Sequence, residues 1–349
     1  MKRGTAKDPT VSASPYPASP HLSNPIRDLG LKIAGTPMEP VLADFLKELE
    51  RAGIVRLRPD FYLSTEWGVP FPSISIGIPF YLAHPDLIDV HARRTGYLEG
   101  VGRADLLRFL RHEMGHVVNY AYRLYEQEDW IKQFGSMTQP YLEDYRPAPF
   151  SRRHVRHLDG WYAQKHPDED WAETFAVWMT PGADWRRRYA DWPEALAKLD
   201  YCDRTMVTLN TREPVVTTID HDEDVSELHG SVEEFYRDAD GVADAFPPGL
   251  DGALQAIFDD FGEAKSTSTA PRPAHELILR IERDLVANVY RWTGHFPEAV
   301  RPLVRHLGAR AKDLEQVYPA ETEAAVIVAF TALVTSLAMN HVLRGNYLP

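Results

Sequence analysis

Apolar residues at helical spacing, Val41, Phe45, Leu46 and Leu49, follow Thr36-Pro37 and stop before Gly53, which predicts a helix. Ile54 to Leu63 then alternates as a strand does, up to Pro59. SISIGIPFYL, Ser73 to Leu82, is the cleanest strand, with Ile74, Ile76 and Ile78 on one face and small residues between them. Gly77 and Pro79 suit an edge position. Helices are predicted around Pro85 to Arg94 and over Leu106 to Glu126, the second with an apolar stripe of Leu106, Leu110, Met114, Val117, Ala121 and Leu124. Mixed helical and loop segments run to about residue 212, and His275 to Leu343 reads as two or three amphipathic or buried helices. The pattern predicts an α+β fold, a small mixed sheet packed beside helices, with a mainly helical C-terminal region.

Composition divides the chain further. The first 23 residues are rich in Pro, Ser and Ala without periodicity and read as a disordered leader. Asp220 to Asp244 holds ten acidic residues against one arginine, Arg237, and KSTSTAPRP, Lys265 to Pro273, looks like a linker. The expected organisation is therefore a leader over 1–23, a folded domain over 24–218, an acidic connector over 219–274 and a helical region over 275–349.

Charge and cysteine usage narrow the function class. A formal net charge of −13 over 349 residues argues against a nucleic-acid binder, because phosphate binding needs a basic face. Cys202 stands alone, so an internal disulfide cannot form, which fits a reducing compartment. The N-terminus lacks the apolar centre of a secretory signal. The longest uncharged apolar run, Ala324 to Met339, is shorter than the roughly 20 residues of a spanning helix and reads as a buried helix. A cytoplasmic protein without membrane contact is expected.

LLRFLRHEMGHVVNYAYRLYE, Leu106 to Glu126, carries the chemistry. His112 and His116 are i,i+4 neighbours on one helix face, as a shared metal requires. Glu113 lies about 100° around the axis, near enough to take a proton from a water on that metal without ligating it. Gly115 in mid-helix costs up to about 1 kcal/mol relative to alanine, so something packs close there. Catalytic zinc usually has three protein ligands and a water. The metzincin pattern would need a glycine at 119 and a histidine at 122, where Asn119 and Tyr122 stand. A later helix, HPDEDWAETFAVWMTP from His166 to Pro181, is the alternative source. Pro167 suits its first position, and Glu169 and Glu173 are i,i+4 neighbours. One carboxylate can bind the metal while the other holds a ligating imidazole through its second nitrogen.

HEMGH followed by EDWAETFAVW resembles a family of bacterial zinc-binding metallopeptidases, within the gluzincin group, and the second motif is similar to the E-x-x-x-E helix of anthrax lethal factor. The resemblance covers roughly Phe80 to Pro181. It implies a zincin-like catalytic domain over 24–218 holding one zinc ion per chain. His112, His116 and Glu169 would be the ligands, Glu113 the general base and Glu173 the carboxylate behind a ligand. It also places Tyr162, seven residues before Glu169, as a donor to the oxyanion. The substrate would be a peptide or protein, its backbone added as a strand beside Ile74, Ile76 and Ile78; otherwise that segment is a half-buried edge that Pro79 protects.

Rival residues are weighed on local chemistry. His154 and His157 are crowded by Arg152, Arg153 and Arg156 and read as surface or structural. Asp170 is expected to face solvent or an arginine, and His166 to cap the helix or donate to substrate. The competing function is a catalytically silent, metal-stabilised scaffold whose acidic and helical C-terminal part binds a partner protein. The intact Glu113 and the lack of a thiolate set argue against it.

Overall fold

Two large apolar cores, with a smaller cluster of Val155, Val177, Trp185, Tyr189, Ala195 and Leu199 beside the first, organise the chain in the computed structural model, which describes residues 21–95, 97–142, 145, 147–148, 150–237, 246, 250–260 and 271–348. The molecule is mostly helical with little sheet, within the α+β class.

The first core gathers helix α1 (Met38–Arg51), strands β1 (Asp60–Ser64) and β2 (Ser75–Pro79), helices α2 (Pro85–Thr95), α3 (Arg103–Ala121), α4 (Glu128–Phe134), α5 (Pro167–Met179) and α7 (Pro193–Leu209), with short α6 (Trp185–Arg188) beside them. Leu110, Met114, Val117 and Ala121 of α3 are fully buried. Each of the larger ones stabilises the fold by about 1.5–3 kcal/mol, enough to outweigh the glycine among them. Trp171 and Phe175 bury the facing side of α5.

β1 and β2 pair in parallel, Asp60 opposite Ser75 through Ser64 opposite Pro79. The strand expected from Ile54 is thus confined to residues beyond Pro59, which cannot donate to a ladder. The placement of Ile74, Ile76 and Ile78 beside substrate is also corrected. Their side chains belong to the core, and the edge of β2 away from β1 is met at Gly77, whose N–H donates to Gly68 O at 2.8 Å. Gly68 lies in the crossover that joins the two parallel strands, so that crossover forms the outer edge.

Part of the expected acidic connector is packed instead of solvated. Val225, Val232 and Tyr236 are buried in the first core, and Tyr236 in α8 (Val232–Arg237) lies with its hydroxyl 2.9 Å from His91 Nδ1. The carboxylates remain outside while these apolar residues turn inward, so charge content alone misjudges the segment. Residues 238–245, 247–249 and 261–270 of that connector, and residues 1–20 of the leader, lie outside the described residues.

The second core comprises α9 (Leu250–Gln255), α10 (Ala274–Thr293), α11 (Pro297–Asp313) and α12 (Glu323–Arg344). Strands β3 (Asp259–Asp260), β4 (Arg272–Pro273) and β5 (Gln316–Tyr318) add an antiparallel patch with β5 in the centre. The expectation of a buried helix over Ala324 to Met339 holds for one stripe only. Phe330, Val334 and Leu337 are sealed, whereas Val328 is 69% exposed. By length and composition alone, this helix is apolar enough to cross a membrane.

The cores are joined by a buried polar clamp. Arg301 of α11 donates to Glu282 Oε1 at 2.6 Å and to the carbonyls of Arg93 and Arg94, which close the C-terminal end of α2. Arg291 of α10 lies 3.3 Å from Asp159. Gly160 touches the Tyr290 ring so closely that a Cβ there would fall 2.8 Å from it.

Candidate metal centre

Helices α3 and α5 cross at Gly115. A Cβ on this glycine would lie 2.6 Å from the Ala172 Cα, and the Trp171 indole N–H donates to Gly115 O at 2.8 Å. The close approach turns the histidine pair of α3 toward the carboxylates of α5. His166 caps α5, its Nδ1 accepting from the Asp168 N–H at 3.2 Å, and Pro167 follows at the first helical position.

Three ligand-type atoms converge there. His112 Nε2 lies 3.0 Å from Glu169 Oε2 and 3.2 Å from His116 Nε2, and His116 Nε2 lies 3.4 Å from Glu169 Oε2. These edges match a tetrahedral zinc shell, where bonds of about 2.0–2.1 Å separate ligands by about 3.3 Å. All three residues are buried, and together they form a candidate metal site.

The far nitrogen of each imidazole faces its own carboxylate. His112 Nδ1 is 2.9 Å from Glu173 Oε1, and Glu173 also accepts from the His157 and Leu158 backbone N–H groups. His116 Nδ1 is 2.9 Å from Asp168 Oδ2, although the ring N–H does not point straight along that line. Asp168 accepts in addition from Tyr120 and Asn119. With a proton on each Nδ1, both Nε2 lone pairs would face each other and Glu169, an arrangement that suits a cation between them.

Electrostatics say the same. Burial pulls the His112 pKa down, but hydrogen bonds to Glu169 and Glu173 outweigh it and hold it at about 9. Burial likewise opposes charge on His116, and Asp168 with Glu169 overcomes it and raises its pKa well above the ordinary value. Burial would raise Glu169, yet His116 and His112 hold it well below the carboxylate range. A proton on the imidazoles thus does part of what a dication would do. Glu113 differs: burial raises its pKa, and its carboxylate has no hydrogen-bonding partner among the described residues. It faces a cleft of about 1170 Å³ that also exposes His112, His116 and Glu169.

Other expected site residues fall out as follows. Tyr162 lines the cleft with its ring centroid 5.6 Å from that of His112 and its hydroxyl 3.2 Å from that of Tyr141. His166 lines the cleft too, but its Nε2 donates to Gln139 O at 3.1 Å; with Nδ1 used as the cap, no ring nitrogen is left for substrate. Glu173 stands behind His112 as expected. Asp170 does not face solvent. It is buried 2.5 Å from Lys198 Nζ because α7 covers that side of α5, and burial raises its pKa to about 7. His157 donates to the Arg108 carbonyl at 2.9 Å, a structural role.

Three contributors went unforeseen. Tyr141 donates to Glu169 Oε1 at 2.6 Å, and the Lys165 ammonium lies 4.3 Å from its ring centroid and 5.3 Å from that of Tyr162. Asp168 stands behind His116. Nothing local distinguishes such residues, since their partners come from other elements.

No curated protein and no solved structure matches the chain. Residues 83–184, which span both crossing helices, match the sequence model of the family described as "Putative zinc-binding metallo-peptidase".

Proposed function

We propose that the chain is a zinc-dependent peptidase of the gluzincin type, with α3, α5 and the small sheet forming a zincin-like catalytic unit. His112, His116 and Glu169 would hold one zinc ion, with Glu173 and Asp168 fixing the two imidazoles. When bound, zinc supplies Lewis-acid polarisation of a substrate carbonyl and lowers the pKa of a water. The observation that carries this reading is Glu113: a carboxylate without a partner, beside three converging ligand atoms, in an open cleft.

Glu113 would act as the general base, taking a proton from the attacking water and returning it to the leaving amine. The burial that raises its pKa makes it a better proton carrier than a solvated glutamate. Tyr162 would donate its hydroxyl to the oxygen that gains charge, and Lys165 beside both phenol rings favours negative charge there. The peptide backbone would run along the crossover at Gly68, which lines the cleft and shields β2 from it.

Zinc-loaded parent protein and its Glu113→Gln form should be incubated with a proteome-derived peptide library, and new termini labelled and sequenced. New termini from the parent alone, at equal zinc content, support the reading. Equal cleavage by both forms, or none by the parent, overturns it.

A further inference from the structure

The cleft does not end at the metal-binding helices. Its lining also includes Tyr290, Phe296 and Glu298 from the C-terminal region, together with Glu99, Asp105 and Arg108. Basic groups at this end already have partners: Arg108 lies 2.8 Å from Asp105 and 3.5 Å from Asp159, and Arg291 lies 3.3 Å from Asp159. Glu99 has none. Its carboxylate makes no hydrogen bond and no ion pair among the described residues, although it is recessed in the wall. The Tyr290 hydroxyl, recessed beside it, has no hydrogen-bonding partner among those residues either.

A half-buried carboxylate that no cation touches, and a half-buried hydroxyl without a protein partner, each give up part of their hydration with no contact in return. Their coincidence on one wall of a cleft, next to the further carboxylate of Glu298, describes a receptor whose occupant is a cation with N–H donors. We infer that this end of the cleft takes a cationic group of the substrate, held by Glu99 and Glu298 with Tyr290 against it. That group is a lysine or arginine side chain or a free N-terminal ammonium. The inference rests on the peptidase reading for calling the occupant a substrate.

Neighbouring chemistry agrees. Burial, and after it the nearby charges of Glu298 and Asp105, holds the Glu99 pKa up at about 8, as expected of a carboxyl group that lacks a cation in contact with it. Tyr97 and Tyr290, which also line this cleft, bring aromatic surface suited to an ammonium or guanidinium. Glu298 and Tyr290 lie outside the family-matched stretch and Glu99 inside it, so the pocket joins the shared catalytic segment to this chain's own C-terminal helices.

Binding separates this inference from the peptidase reading. Zinc-loaded Glu113→Gln protein is titrated with C-terminally labelled decapeptide libraries, and fluorescence anisotropy is read. One position is fixed as lysine, arginine, norleucine or citrulline, and each library has a free or an acetylated N-terminus. The expected result is tighter binding of at least one cationic series than of its neutral counterpart, by about tenfold, the worth of one charge-assisted contact. Adding Glu99→Gln and Glu298→Gln should bring that ratio toward one at unchanged zinc content. The side-chain and terminal arms show which cation is used. Equal or undetectable binding of cationic and neutral series, or a ratio that survives both substitutions, overturns the inference. Failure of the peptidase reading would appear elsewhere, as absence of cleavage by the parent.

Discussion

Gly115 of α3 and Ala172 of α5 touch backbone to backbone, closely enough that any β-carbon on the glycine would overlap its neighbour, at 2.6 Å from the Ala172 Cα. This contact sets the spacing between the histidine pair and the carboxylates. Alanine at 115 would gain up to about 1 kcal/mol of helix propensity. Overpacking against backbone costs about 1–3 kcal/mol, so the clash wins. Gly115→Ala should lower stability by about 1–2 kcal/mol and weaken zinc binding as the helices part. Chemical denaturation of the metal-free protein, with a zinc titration, checks both; a variant as stable and as tight as the parent contradicts the packing argument.

Glu173 and Asp168 act through the imidazoles. Glu173→Gln and Asp168→Asn should each leave the protein folded and weaken zinc about 10–100-fold, the usual effect of removing a carboxylate behind a ligand. Competition against a chromophoric chelator measures this. Unchanged affinity in both variants would mean that the ring orientations are fixed by packing alone.

The two motif helices were legible because their spacing is local: i,i+4 neighbours face the same way whatever surrounds them. Gly115 was legible for the same reason, as a helix interior that sacrifices stability for a close approach. The role of Asp168 was not, because His116, Asn119 and Tyr120 reach it from another helix. Asp170 was expected to face solvent or an arginine, and no local pattern shows that α7 brings Lys198 over it. Ile74, Ile76 and Ile78 alternate as a half-exposed strand does, and only the fold reveals that both sides are covered. The C-terminal wall of the cleft, with Tyr290 and Glu298, depends on contacts nearly two hundred residues long in sequence and leaves no mark on any motif.

Buried neutral histidines make the fold sensitive to acid. Burial lowers the pKa of His91 to about 3, and burial with the nearby His341 lowers His295 to about 4, against 6.5 for the ordinary group. Below pH 6.5 the unfolded chain takes up protons that the folded chain refuses, so this stability is present above 6.5 and lost as pH falls toward 4. The limit is about 1.4 kcal/mol per pH unit for each histidine. Thermal melts between pH 7 and 4.5 should show the decline, with a shallower slope in His91→Gln, which can still bond to Tyr236. An identical slope would contradict the assignment.

Arg301 holds the two cores together. Removing it as Arg301→Ala leaves buried Glu282 with only Arg305, at 3.3 Å, and uncaps the end of α2, which should cost about 3 kcal/mol. Denaturant unfolding followed by tryptophan fluorescence reads this loss; a change below 1 kcal/mol, roughly the worth of an exposed pair, would show that the clamp is not buried in solution.

The account stands on three side chains sharing one ion. Crystals of the zinc-loaded protein, measured on both sides of the zinc absorption edge, test it most directly. The predicted anomalous map has one peak per chain within about 2.0–2.2 Å of His112 Nε2, His116 Nε2 and a Glu169 oxygen. A peak that leaves any of these three without contact, or no peak between α3 and α5, would contradict it.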